Sequence, residues 1–414
     1  MNIPPQPKVA ALLVILHAEL IVEILTFLDV KSLIRMKCVC KSWKTLFSDP
    51  IFVKMHLKRQ STRMTHLALF SKHFQGSADC RAVPISRLLD TTSNSITLTD
   101  GDPYYQFNFK NARCMVGSCN GLVCLQGCSS SDSAAYTDHS FSFWNPATRT
   151  ISETLVSFRQ YHNSYPREYI CRFMFGYDNL TDTYKVVSLS LKIGDSLMTS
   201  SVRVFTLGDN VWRNIDCFPV ELVYHPSCFS ASEGVYFNNS INWFVRQRYN
   251  CHLNITIEQF VIISLELGTE TYTQLLLPRC CEEELRHTPT LPPTLSILND
   301  CLCFSYDYRK THFIIWQMKE FGVEESWVQF LQISYLNLQM DYRPRELEYD
   351  YVPESIVHPL CVSENGDIVM FAINRQDQVI HYNRRDNRVK RIKSTNEIFW
   401  FYAKGYVESL ISTC

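Results

Sequence analysis

The chain has 414 residues, 46% of them hydrophobic, which is enough for one small and one large domain with a sizeable core. A formal net charge of -1 and a pI near 6.8 give the whole molecule no pull toward nucleic acid or an anionic membrane, so neither is an expected partner. The 17 cysteines are an odd count with no C-x-x-C pair, and most sit in apolar runs; buried free thiols in a reducing compartment, the cytoplasm and/or nucleus, explain this better than a disulfide framework.

Residues 1–14 read as an N-terminal lead-in. Lys8 followed by the apolar run Val9 to Leu16 imitates a secretory leader, with Ala18 as a cleavage residue, but cleavage there cuts into the first predicted helix. The run is also too short to cross a bilayer. Glycosylation-type triplets at Asn179, Asn238 and Asn254 are of a kind that arises by chance.

Residues 15–60 form the first domain. Leu16, Leu20, Ile24 and Leu28 recur every fourth residue, Ile21 and Leu25 widen the stripe, and Glu19, Glu23 and Thr26 stay off it, which predicts an amphipathic helix. Asp29 supplies an N-cap for a second helix carrying Leu33 and Ile34. A third short helix places Val39, Trp43, Leu46 and Phe47 on one face, and Asp49-Pro50 starts a fourth. So few residues cannot bury a self-sufficient core, and the unit must lean on something else.

The residues Glu19, Leu20, Ile21, Glu23, Ile24, Leu25, Leu28, Val30 to Leu33, then Cys38 to Trp43 and Ser48 to Pro50, resemble the F-box of plant F-box proteins. His17 and Asp29 stand where that family usually has proline. The resemblance implies docking on a Skp-type adaptor, and through it on cullin and RING subunits of an SCF-type ubiquitin ligase. Leu16, Leu20, Ile24, Leu25, Leu28, Leu33, Val39 and Trp43 are then the residues expected to make that contact and to hold the unit together. Lys31, Arg35, Lys37, Lys41 and Lys44 have no acid among them, which suits the acidic adaptor of the family.

Residues 61–414 read as mainly β, consistent with 13% aromatics. THLALF (Thr65–Phe70) predicts a strand, and Cys80 to Leu89 a second one interrupted at Pro84. From Met115 to Lys393 two series of turns step by roughly 60 residues, a spacing that means repeats. The first falls at Asn120-Gly121, Thr181-Asp182, Asn238-Asn239, Asn299-Asp300 and Asn365-Gly366; the second at Pro146-Ala147, Gly208-Asp209, Gly268-Thr269, Gly322-Val323 and Arg385-Asp386. Two hairpins per unit, neither able to bury its faces alone, predict β-propeller blades, five of them in this stretch. The strands before Asp90 and the closing FWFYAKGYVESL combine into a sixth blade made from both ends of the domain.

GSCNGLVCL (117–125), FWNPATRT (143–150), Gly176-Tyr177-Asp178 and Tyr184 to Val187 resemble the F-box-associated domain of the same plant proteins, whose propeller-like part selects a protein substrate. The double glycine of true kelch blades is missing, so the likeness to kelch proteins is one of architecture. The expected function is a non-catalytic substrate receptor that needs no cofactor. The alternatives are an F-box-like interaction protein outside such a complex and a propeller hydrolase.

Chemistry has little support in the residues. Gly117-Ser118-Cys119-Asn120-Gly121 has the form of a nucleophile elbow, but a strand follows it where a helix is required. Cys114, Cys119, Cys124 and Cys128 lack the paired spacing of a zinc site, and no metal is expected. The candidate binding loops are Ser129–His139, Ser157–Tyr169, Pro278–Pro293 and Asp341–Glu354. In the last, Tyr342, Arg343, Arg345, Tyr349 and Tyr351 have the composition of a protein-binding hot spot.

Overall fold

The computed structural model describes residues 18–60 and 64–413 except 73–76, 91–94, 97–105, 111, 131–135, 155, 162–168, 193–198, 210, 217–233, 247–256, 258–259, 279–292, 310, 341–356, 374–377 and 395–397. Four helices come first: α1 (Ala18–Leu25), α2 (Val30–Met36), α3 (Lys41–Leu46) and α4 (Pro50–Gln60). Both caps read from the sequence are made. Asp29 accepts from the Ser32 amide at 2.7 Å and the Ser32 hydroxyl at 2.8 Å, and Asp49 accepts from the Ile51 amide at 2.7 Å.

The chain then lays down β1 (His66–Lys72), β2 (Ser77–Pro84), a single turn α5 (Ile85–Leu88), β3 (Ser95–Ile96) and β4 (Gln106–Lys110). The expected strand from Cys80 to Leu89 is corrected here: it ends at Pro84, whose missing N–H cannot continue the ladder, and the chain coils into α5. Blade one holds β5 (Ala112–Cys119), β6 (Leu122–Ser130), β7 (Tyr136–Asn145) and β8 (Thr150–Ile151), with β9 (Val156–Tyr161) also on β7. Blade two is β10 (Tyr169–Asp178), β11 (Thr183–Lys192), β12 (Thr199–Thr206) and β13 (Trp212–Asn214). Blade three is β14 (Val235–Phe237), β15 (Ser240–Arg246), β16 (Phe260–Glu266) and β17 (Tyr272–Leu275). Blade four is β18 (Thr294–Leu298), β19 (Cys301–Tyr308), β20 (His312–Met318) and β21 (Trp327–Ser334). Blade five is β22 (Val357–Val362), β23 (Ile368–Ile373), β24 (Gln378–Asn383) and β25 (Arg388–Ser394), with β3 added in parallel on its outer edge.

The sixth blade has the order β26-β1-β2-β4, where β26 (Lys404–Tyr406) is the innermost strand and comes from the other end of the domain. The expected six-bladed ring, closed by both chain ends, is what forms, and all ten expected turns join strands. The turns at Asn120-Gly121, Asn238-Asn239 and Asn299-Asp300 have positive φ at both positions, the twist that tight antiparallel hairpins need.

The core of the ring is not central. It is divided into six apolar layers, each between two neighbouring blades. A blade is therefore covered on both faces, which explains why β16 and β20 read as unbroken buried runs with no polar alternation. A seventh layer belongs to the helices: Leu25, Val30, Leu33, Phe47, Phe52 and Val53 pack together, completed by Ala147 from a blade-one turn and Leu410 from the segment after β26. The helical unit leans on its own propeller.

Blades two and three are also joined by buried charge. Lys185 of β11 lies 2.8 Å from Asp178 and 3.1 Å from Glu270, and Arg213 pairs with the same Glu270. Asp178 also accepts from the Leu180 amide and the Thr181 hydroxyl. Burial alone would raise its carboxyl, but the hydrogen bonds from Lys185, Thr181 and Leu180 hold it down at about 2.

Candidate functional sites at two ends of the ring

The helical unit has two apolar faces. Ile21 and Val22 of α1 pack against the helical core that Leu25 and Leu33 belong to, while Leu20, Ile24, Phe27, Val39, Ile51 and Met55 are exposed by 45–71%. Leu20, Ile24 and Phe27 follow at spacings of four and three, so they lie along one side of α1 and the turn after it. Ile51 and Met55 are one helical turn apart on α4. The C-terminal end of α4 is tied to this region, because the Arg59 guanidinium stacks 3.8 Å over the Phe27 ring and donates to the Thr26 hydroxyl at 2.7 Å.

The eight residues expected from sequence to touch the adaptor are thus divided by the structure. Leu20, Ile24 and Val39 are on the open surface; Leu25 and Leu33 are buried inside; Leu28 and Trp43 are half-buried against the helical core. Leu16, like His17, lies outside the described residues. Two expectations are corrected. Val39 does not share a helical face with Trp43, since Cys40 is extended at φ -155° and α3 begins only at Lys41. Thr26, expected on the polar face, is 2% exposed, donating to the Glu23 carbonyl and accepting from Arg59. Phe27, Ile51 and Met55 were missed; their signal was the continuation of the Leu20–Ile24 row and the four-residue spacing on α4.

Of the basic residues, Lys31 and Arg35 are on α2, Lys41 and Lys44 on α3, and Lys37 at the end of α2. Partial burial, and after it the nearby Lys44 charge, lowers the Lys37 ammonium. Asp29, which replaces the usual family proline, is held below the ordinary carboxylate range: slight burial works against it, but the Ser32 amide and hydroxyl outweigh that.

Strand direction sorts the connections of the ring. Neighbouring strands in each blade run antiparallel, so both tight turns of a blade leave from one end, and the second-to-third and blade-to-blade connections leave from the other. The helices sit at the tight-turn end, where Lys54 of α4 pairs with Asp182 in the β10–β11 turn and Ala147 joins the helical core. Two of the four loops singled out from sequence are shorter than expected, because β9 takes up Ser157–Tyr161 and pairing of β6 with β7 takes up both ends of Ser129–His139; the strand ends bounding all four connections lie at the opposite end. Tyr342, Arg343, Arg345, Tyr349 and Tyr351 themselves lie outside the described residues, in the connection between β21 and β22.

The sequence Trp144-Asn145-Pro146 has a definite task. Asn145 is fully buried; its amide donates to the carbonyls of Ser409 and Ile411 at 3.0 and 2.8 Å, and its carbonyl accepts from the Ala147 amide and the Tyr406 hydroxyl. Gly121, at φ +81°, leaves room for Ser409, which a Cβ would strike. One buried amide thus latches the segment after β26 onto blade one. Cys119 of the elbow-like stretch is buried, and burial pushes its thiol far up, so it offers no thiolate.

Comparison with known proteins follows the same division. A family model described as F-box domain matches residues 13–55, and one described as F-box associated beta propeller domain matches residues 77–413. The chain is similar to an F-box/kelch-repeat protein of Arabidopsis thaliana, 27% identical over 77% of this chain and 79% of that protein. It is similar also to the F-box protein CPR1 of the same plant, 24% identical over 96% of this chain and 88% of that protein. Among solved structures, an uncharacterized protein of Listeria monocytogenes covers 81% of this chain and 82% of its own at 8% identity and a TM-score of 0.38.

Proposed function

The chain belongs to the F-box associated β-propeller family, and on that premise we propose that it is the substrate-recognition subunit of an SCF-type ubiquitin ligase in the cytoplasm or nucleus. The helical unit docks on a Skp-type adaptor, and through it on the cullin and RING subunits. The end of the ring away from the helices receives a protein substrate. The chain contributes no catalytic group; it raises the effective concentration of the substrate near the ubiquitin-carrying enzyme.

The observation that carries this reading is the open apolar surface of Leu20, Ile24, Phe27, Val39, Ile51 and Met55, on a unit whose other face is already buried against the propeller. An apolar surface left uncovered after folding marks an interaction site. Asp29 in place of proline fits the same reading, because it caps α2 through Ser32 and so keeps the helix start in place.

The test is capture of the full chain by a purified Skp-type adaptor. Leu20→Asp with Ile24→Asp should abolish capture while the unfolding temperature stays unchanged, since both side chains are exposed. Failure of the unaltered chain to bind at micromolar concentration would overturn the ligase reading.

A further inference from the structure

Two turns at the helix end of the ring share one design. In blade one the Asn145 side-chain oxygen accepts from the Ala147 amide at 3.1 Å and the Thr148 amide at 3.4 Å, Arg149 follows at φ 58°, and the Thr148 and Thr150 hydroxyls pair at 2.7 Å. In blade two Asp178 accepts from the Leu180 amide at 2.8 Å and the Thr181 amide at 3.3 Å, Asp182 follows at φ 60°, and the Thr181 and Thr183 hydroxyls pair at 2.8 Å. The same bonds at the same spacing set the same local backbone, so Ala147 and Leu180 hold equivalent places in their turns.

Their surroundings differ. Ala147 is 1% exposed because the helical unit covers it, whereas Leu180, the larger apolar side chain, is 73% exposed. A single exposed leucine is ordinary on a protein surface, but this one stands at the place where the neighbouring blade receives the helices. It also adjoins their open face. Lys54 of α4 pairs with Asp182, which accepts from the Tyr177 hydroxyl as well, so the turn is fixed against α4. Lys54 is three residues after Ile51, and bond lengths along this path keep Leu180 within about 25 Å of Ile51. A standard interface takes about 800 Å2 from one partner, a patch roughly 30 Å across, so one partner seated on Ile51 and Met55 is wide enough to cover Leu180 too.

We propose that Leu180 is the propeller's own contribution to docking: the Skp-type adaptor that seats on the helical surface also covers the β10–β11 turn of blade two. The inference rests on the receptor reading and extends its docking surface from the helices onto the ring. Docking then grips α4 and blade two together, and the ring is held at a set angle to the adaptor instead of swinging on the helices.

Titration calorimetry of the full chain with a purified Skp-type adaptor tests it. Leu180→Ser should weaken binding about tenfold or more and Leu180→Met should keep it within about twofold, both at the unfolding temperature of the unaltered chain, because the side chain is exposed. Leu336→Asp, at another exposed leucine after β21, should leave the affinity unchanged. Equal affinity of Leu180→Ser and the unaltered chain overturns this inference and leaves the receptor reading standing; no binding by the unaltered chain overturns both. Photo-cross-linking through Leu180→p-benzoylphenylalanine gives a second readout. A cross-link to the adaptor supports the contact, and a cross-link only to a second copy of this chain, or none, overturns it.

Discussion

In the ring each blade has a neighbour on both faces, and Trp243, Phe304 and Phe371 are at most 1% exposed; on the helices residues of the same apolar kind, Ile24, Phe27 and Ile51, are more than half exposed. The ring completes its burial with its own strands. The helical unit completes one face with Ala147 and Leu410 and leaves the other open. Exposure on a small helical unit is therefore informative only after its inward face has been accounted for. Here that face is fully supplied from within the chain, so the open side chains are surplus to folding.

The largest loss of stability is expected inside the ring. Lys185→Met leaves Asp178 and Glu270 without their buried cation and should cost about 3–5 kcal/mol, read as a lower urea midpoint for the propeller. In the helical unit Phe47→Ala should cost about 3–5 kcal/mol by opening a cavity, and should melt the helices while tryptophan fluorescence of the blades is retained.

The seam between the two regions is sharpened by Asn145→Ala. Removing this amide orphans the Ser409 and Ile411 carbonyls and should cost about 1–3 kcal/mol, with amide exchange at 407–413 and in α1–α4 speeding up together. Acid acts on this seam and on blade five through buried imidazoles. Burial depresses His56 and His66, near the helices, and holds His358 and His381 at about 4. The unfolded chain takes up protons below about 6.5 while these native rings resist, so stability should be lost as the pH falls from 6.5 toward 4 and be regained on raising it. Unfolding temperatures at pH 7.5 and 5 measure this. The smallest effect is expected at α2, where Asp29→Ala removes a cap at about 0.5–2 kcal/mol.

Much of the ring was legible because its turns demand particular chemistry. Asn120-Gly121, Asn238-Asn239 and Asn299-Asp300 carry residues that tolerate positive φ, and their even spacing counted the blades. The strands β3 and β4 were not foreseen. One has only two residues; QFNFK of the other does alternate, but its partner β2 lies more than twenty residues earlier with no tight turn between them to signal a hairpin. On the helices the period located the apolar residues but not which face turned inward, since both faces of α1 are apolar and only the ring decides between them. The latch role of Asn145 was hidden for a similar reason: its partners Ser409 and Ile411 are more than 260 positions away.

The closing blade has a consequence for biosynthesis. Its middle strands β1 and β2 leave the ribosome early, yet β26 follows only after more than three hundred further residues. At about 5–20 residues per second those first strands wait tens of seconds with an exposed inner edge. Leu410, which completes the helical core, is made later still. A polypeptide stopped short of this point therefore has neither a shut ring nor a fully packed helical unit, and its inner-strand edge and helical core stay open together.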